Sequence, residues 1–159
     1  MQRIGIGYDS HRFAPGRRLV LGGIYIEGHD GLAGHSDGDA VLHAITDAIL
    51  GALAAGDIGE KFPESDGGLA GADSAFFLAE AVALARRQRL RVGNCDVTVI
   101  TETPRLSQFK AAMARRIAEV LGCPADCVCV KAKTNEHMGA IGRGEGIAAV
   151  AAVLLTAAD

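Results

Sequence analysis

Asp9-Ser10-His11 puts two metal-competent side chains at positions i and i+2, which project from the same side of an extended strand. They can share one cation. His43, inside a helical pattern, would supply a third ligand from another element and leave one coordination position open, as catalytic zinc requires. A carboxylate with two imidazoles suits zinc and also resembles a non-haem iron triad. His35 competes for the third place, but eight helical residues at about 1.5 Å each would separate it from His43 by roughly 12 Å, too far to chelate one ion. The two histidines therefore have different tasks. Asp39 and Asp47 stand four residues either side of His43, so either could orient its second ring nitrogen.

Three further stretches could meet an anion. His35-Ser36-Asp37-Gly38-Asp39 sits where a helix begins, and free amides there bind phosphate. Asp37 and Asp39 would repel that phosphate and read better as helix caps, leaving His35 and Ser36 for the anion or for capping alone. Carboxylate spacing and the lack of a distal glutamate exclude an EF-hand. Lys131-Ala132-Lys133-Thr134-Asn135-Glu136 ends a predicted strand with two cations, a hydroxyl and a carboxylate, a set suited to phosphate plus a divalent ion or to a solvated strand end. Gly142-Arg143-Gly144-Glu145-Gly146 could form an anion nest, yet it is neither a Walker loop nor a dinucleotide fingerprint. The chain carries no G-x-S-x-G elbow and no cysteine-nucleophile signature.

The elements that must position these residues follow from periodicity. Alternation over 3–9 predicts a strand, and Leu19-Val20-Leu21 and Ile24-Tyr25-Ile26 flank a Gly22-Gly23 hairpin turn. From Asp37 the apolar spacing becomes three-to-four through Val41, Leu42, Ile45, Ala48, Ile49 and Leu53, predicting a helix of about four turns capped by Asp37 or Asp39. Residues 56–71 are glycine-rich with an embedded Phe62-Pro63, the natural candidate for a lid. A second helix opens at Asp73-Ser74, a strand covers 96–101, a helix 106–121, and strands 127–133 and 147–155. The expected fold is α+β: a mixed four-stranded sheet with helices on one face plus a β-hairpin. An apolar second face would need other copies of the chain, hence a closed cyclic oligomer.

With 159 residues, 49% hydrophobic and 22% charged, the chain has the profile of one globular domain, 1–159, with a sizeable core. A net charge of −3 gives no general field for nucleic acid or an anionic membrane surface. The longest apolar run, 147–155, is about half of what a bilayer span needs. The chain moves straight into structure without a secretory or transit pattern, so a cytoplasmic location is expected. Cys95, Cys123, Cys127 and Cys129 read as reduced thiols, with Cys127 and Cys129 packed in a buried strand rather than ligating metal.

Taken together, Gly7-Tyr8-Asp9-Ser10-His11, His35-Ser36-Asp37-Gly38-Asp39 through His43, Gly56-Asp57-Ile58-Gly59 with Phe62-Pro63, and Gly142-Arg143-Gly144-Glu145-Gly146 closely resemble the 2-C-methyl-D-erythritol 2,4-cyclodiphosphate synthase family. Order and spacing match along essentially the whole chain, with no room for the cytidylyltransferase domain fused to some members. The resemblance implies a phosphorus–oxygen lyase of non-mevalonate isoprenoid biosynthesis, converting 4-diphosphocytidyl-2-C-methyl-D-erythritol 2-phosphate into the cyclic diphosphate and CMP. It implies a homotrimer, its sheets packed around a threefold axis and its active sites between subunits.

By the same resemblance, Asp9, His11 and His43 hold zinc, and Glu136 helps hold magnesium or manganese. His35 and Thr134 stabilise the transition state, and Ser36 joins His35 at the substrate phosphate. Asp57, Ile58 and Gly59, with Phe62, Pro63, Glu64, Ser65 and Asp66, match contacts to methylerythritol and ribose. Thr101, Glu102, Thr103, Pro104, Arg105, Leu106 and Ser107, with Ala132, Lys133 and Asn135, match the cytidine pocket and phosphate contacts. Ser10, Ala140 and Arg143 complete the implied substrate contacts, and Arg143 and Glu145 match residues near a central cavity where some members bind isoprenoid diphosphates. Ala140 stands where many members carry an aromatic, Lys133 where many carry a small polar residue, and Arg105 where lysine is common. A zinc phosphodiesterase that activates water, and a trimeric metabolite sensor, are the rival readings.

Overall fold

The structure, a computed structural model, describes residues 1–63 and 71–158. Among the described residues, five strands form one sheet: β1 (Gln2–Leu21), β2 (Ile24–Leu32), β3 (Leu90–Ile100), β4 (Val128–Lys133) and β5 (Gly146–Ala157), in the order β2-β1-β5-β3-β4. Only β3 and β4 pair in parallel; the other neighbours are antiparallel. The sheet therefore has five strands rather than four. The fifth arises because β1 is continuous, its first half pairing with β5 from Gln2↔Thr156 to Arg12↔Gly146 and its second half with β2. The expected hairpin is thus the edge of the main sheet, with Gly22 and Gly23 at φ +58° and +72° turning from Leu21 to Ile24.

Alternation along β1 divides its residues between two environments. Gly5, Gly7, Asp9 and His11 face helix α1 (Ala40–Ala52), whereas Ile4, Ile6 and Tyr8 point away and are 72%, 71% and 59% exposed. The glycines let the helix lie almost on the strand: a Cβ on Gly5 would stand 1.8 Å from the Ala48 carbonyl oxygen, and one on Gly7 2.0 Å from that of Ala44. As β1 advances the helix recedes by one turn, so the next inward strand position, Asp9, meets the turn that carries His43. Alanines 149 and 151 and Val153 on β5 complete a floor of small, buried side chains.

α1 begins at Ala40 because Asp39 caps it, accepting from the amides of Val41 and Leu42. The same carboxylate accepts from the amides of Gly22 and Gly23 at 2.9 and 2.7 Å, so one buried side chain fastens the hairpin turn to the helix start. Helix α3 (Ser74–Arg87), capped by Asp73, and helix α4 (Lys110–Leu121), closed by Gly122 at φ +70°, cover the rest of the inner face. α4 starts four residues later than the sequence pattern suggests, since Leu106 to Phe109 form turns over the end of β3.

Two short helices escape the periodicity argument because neither spans two turns: α2 (Ile58–Lys61) and α5 (Gly139–Gly142). α2 lies inside the candidate lid, part of which, 64–70, is outside the described residues. A 3₁₀ turn (Ala125–Cys127) precedes β4, so Cys127 is not in the strand; in β4, Val128 and Val130 are buried and Cys129 is exposed. The expected burial of Cys129 is wrong by one residue of register. Cys95 on β3 is buried, and burial pushes its thiol up to about 12. Among the described residues no helix is long and apolar enough to cross a membrane.

Candidate active site

Among the described residues, one group of side chains is arranged to hold a metal ion: Asp9, His11 and His43, with one potential ligand atom from each within 4.8 Å of the others. Asp9 Oδ2 stands 2.8 Å from His11 Nε2 and 3.0 Å from His43 Nδ1, and the two nitrogens are 3.3 Å apart. Ligands at about 2.1 Å in a tetrahedral shell stand about 3.4 Å apart, so small outward shifts would turn this triangle into one face of such a shell. One oxygen and two imidazole nitrogens also match the donor types of a borderline-soft divalent ion.

The electrostatics tie the group together. Burial alone would raise the Asp9 carboxyl, but the hydrogen bonds and charges of His11 and then His43 outweigh it and lower it to about 2. Conversely, the hydrogen bond that His11 donates to Asp9 raises its imidazole above the ordinary value against the opposing effect of burial. The proton that Asp9 holds on His11 is one that a cation bound to the group would displace.

His43 is not oriented by Asp39 or Asp47. Asp39 is occupied by four backbone amides, and Asp47 accepts from the Ile58 amide at 2.8 Å, fastening α2 to α1. The second ring nitrogen, Nε2, instead meets Ser74 Oγ at 2.8 Å and Ser36 Oγ at 3.2 Å. Ser74 in turn donates to Asp37 Oδ1. Spacing along α1 pointed at the aspartates, whereas the actual partner comes from α3, a long-range contact that no local period reports.

The cluster lines a cavity of about 210 Å³ with Gly34, His35, Ser36, Ile58, Gly59, Phe62, Pro63 and Phe77. His35 reaches the same cavity because residues 35–39 precede the helix, so the straight-helix separation from His43 does not apply. The loop carrying His35 and Ser36 is strapped by Arg17, whose guanidinium donates to the Gly34 carbonyl at 2.6 Å and to the Ser36 carbonyl. Phe62 and Phe77 pack with ring centres 4.9 Å apart and planes tilted by 51°, and Phe77 lies edge-on to His43. Arg17, Ser74 and Phe77 are site residues that the sequence alone does not single out.

A second cavity, about 420 Å³, is lined by Thr101, Glu102, Pro104, Arg105, Leu106, Ser107, Lys110, Ala132, Lys133, Thr134 and His137. Its two arms are joined by Glu102, which accepts from the amides of Asn135 and His137 at 2.9 and 3.2 Å. That clamp holds Glu136 and His137 at φ +50° and +58°, a backbone region that non-glycine residues occupy only when their surroundings impose it. Thr134 Oγ1 donates to Glu136 Oε1 at 2.9 Å, so the hydroxyl and the carboxylate act from one turn. The register Arg12↔Gly146, Ile100↔Ala148 and Ile100↔Lys133 puts both cavities at the same end of the sheet. Three strand spacings between β1 and β4 amount to roughly 14 Å.

Other residues named from sequence fall elsewhere. Ser10 alternates to the outer face, exposed and away from Asp9 and His11. Asp57 caps α2 beside the first cavity, accepting from the Glu60 amide. Thr103 sits between the lining residues of the second cavity, its carbonyl accepting from Thr101. Ala140 and Arg143 belong to α5 and its end, lining neither cavity, and Arg143 pairs with Glu145 at 2.6 Å. Glu64, Ser65 and Asp66 lie outside the described residues.

The same arrangement of strands and helices occurs in known proteins. The bifunctional IspDF of Campylobacter jejuni superposes with a TM-score of 0.95 at 40% identity over all of this chain, which spans 43% of that longer protein. IspF of Plasmodium falciparum, in complex with CDP, matches with a TM-score of 0.87 at 36% identity, covering 99% of this chain and 97% of that one. In sequence, 2-C-methyl-D-erythritol 2,4-cyclodiphosphate synthase of Xanthomonas axonopodis pv. citri is 54% identical over 96% of this chain and 92% of its own. The sequence pattern of the YgbB family matches residues 2–156. With the fold, the family pattern and nearly the full length in agreement, the chain belongs to the YgbB family, that of the 2-C-methyl-D-erythritol 2,4-cyclodiphosphate synthases.

Proposed function

We propose that this chain converts 4-diphosphocytidyl-2-C-methyl-D-erythritol 2-phosphate into 2-C-methyl-D-erythritol 2,4-cyclodiphosphate and CMP. The observation that carries this reading is the Asp9–His11–His43 triangle in one cavity, at the same sheet end as a second cavity bearing Arg105, Lys133 and Thr134, in a chain 54% identical to a synthase of that name. An oxygen of the substrate's 2-phosphate forms a bond to the β-phosphorus as the bond from that phosphorus to the bridging oxygen breaks. CMP leaves with the electron pair. The nucleophile is already an anion, so the protein's contribution is positioning and charge neutralisation rather than proton abstraction.

Asp9, His11 and His43 would hold zinc, and Glu136 would contribute to a magnesium or manganese site; bound there, these ions supply Lewis-acid polarisation and neutralise phosphate charge. His35 and Ser36, which line the first cavity, would donate to a phosphate bound there. Thr134 does so from the second, where Arg105 and Lys133 face the nucleotide's phosphates. Phe62 and Phe77 make an apolar wall that keeps water from competing with the internal nucleophile. Ile58 and Gly59, with Asp57, offer contacts to sugar hydroxyls.

The outer face of the sheet supports assembly. Ile4, Ile6 and Tyr8 leave an apolar surface that a neighbouring copy would cover, and a homotrimer would bring the second cavity of one subunit to the first cavity of the next. We read 1–159 as one domain acting in the cytoplasm. Incubating the protein with the substrate, zinc and magnesium should release CMP and cyclic diphosphate in equal amounts. His43→Ala should reduce release by at least about 10³-fold. CMP formed together with the open 2-C-methyl-D-erythritol 2,4-bisphosphate would instead identify a hydrolase.

A further inference from the structure

We propose that Ser74, held by Asp37, is a positioning residue that fixes the proton of His43 on Nε2 and so turns a bare Nδ1 toward the metal cluster. The inference rests on the reading of Asp9, His11 and His43 as a zinc set and adds to it the group that prepares one ligand. Ser74 is fully buried at the first turn of α3, and its Oγ lies 2.8 Å from His43 Nε2 while donating to Asp37 Oδ1. A serine hydroxyl has one proton, and a carboxylate can only accept it. Asp37 is committed to that role, since it also accepts from the amides of Asp39 at 3.1 Å and Ser74 at 3.2 Å. The Ser74 oxygen facing His43 is therefore an acceptor, and the contact is satisfied only by Nε2–H.

This direction matters because the opposite side of the ring pulls the other way. Asp9 Oδ2, 3.0 Å from Nδ1, is also an acceptor and by itself would draw the proton to Nδ1. A proton there occupies the lone pair that a metal must use. Ser36 does not resolve the conflict, because at 3.2 Å its hydroxyl can donate or accept. The Asp37–Ser74 pair favours the binding-ready tautomer before any ion arrives, the role that a carboxylate partner plays for many metal-bound histidines.

The test combines zinc affinity with the ring's tautomer. Competition titration with a chelating dye should show Ser74→Ala binding zinc about 10- to 100-fold more weakly than the parent at unchanged thermal unfolding temperature, and Ser74→Thr restoring most of the loss. Nitrogen-15 spectra of the zinc-free proteins, at a pH where the ring is neutral, should show His43 as Nε2–H in the parent and shifted toward Nδ1–H in Ser74→Ala. Unchanged affinity and tautomer in Ser74→Ala, with His43→Ala losing zinc, would overturn the Ser74 inference alone. Zinc binding that His43→Ala leaves intact would overturn the zinc-site reading as well. Should Ser74→Ala fail to fold, an Nδ1–H ring in the zinc-free parent overturns the inference, and an Nε2–H ring supports it.

Discussion

Asp9 holds the proton on His11 while His11 holds the charge on Asp9, and this dictates opposite pH responses for the free and the metal-loaded protein. Asp9 is lowered to about 2, so its contribution to stability is present above its ordinary value of 3.8 and is lost as pH falls toward 2. His11 is raised, so its contribution is full below 6.5 and disappears as pH rises through its elevated value. Without metal the pair therefore stabilises best between these limits. A metal must displace the His11 proton, and its binding strengthens in the direction in which the ion pair weakens. The gain in unfolding temperature on adding zinc should accordingly grow as pH rises above the ordinary imidazole value of 6.5. Thermal scans at fixed free zinc, with chelator-treated controls, check this; a gain independent of pH would place binding elsewhere.

The elements that place these residues depend on the close approach of α1 to β1. Gly7 has no space for a methyl group, with the Ala44 carbonyl 2.0 Å from where its Cβ would stand. Gly7→Ala should push the helix off the sheet at a cost of about 3 kcal/mol, read by urea unfolding. It should also weaken zinc binding, because His43 moves with the helix; unchanged stability would show that the approach is not tight. This juxtaposition was half legible. Strand alternation placed Asp9 with His11, the helical period placed His43, and Gly22-Gly23 marked the hairpin turn. Local periods say nothing about which helix lies on which strand, so neither Ser74 on α3 nor Arg17, in the stretch of β1 between Ala14 and Arg18 where the pairing register shifts, is attached to the site by its spacing. The one-turn helices α2 and α5 were too short to show a period, and Cys129 was assigned to the wrong face of a six-residue strand.

At the scale of the whole molecule, the sheet has a covered and an uncovered side. The covered side carries the core and the cluster; on the other, Ile4 and Ile6 are more than two-thirds exposed on adjacent outward positions of the first half of β1, which pairs with β5. Ile6→Asp should leave the fold intact and convert the assembly to single chains, measured by sedimentation equilibrium, with a large loss of activity if sites are shared. A parent protein that sediments as one chain would contradict the proposed trimer. In the proposed reaction phosphoryl transfer is internal to the substrate. Its most direct test is phosphorus NMR of the reaction run with zinc and magnesium in ¹⁸O-labelled water. Two coupled cyclic-diphosphate signals together with CMP, none carrying the isotope shift of ¹⁸O, are the predicted result; label in either product would show that water is the nucleophile and would contradict the claim.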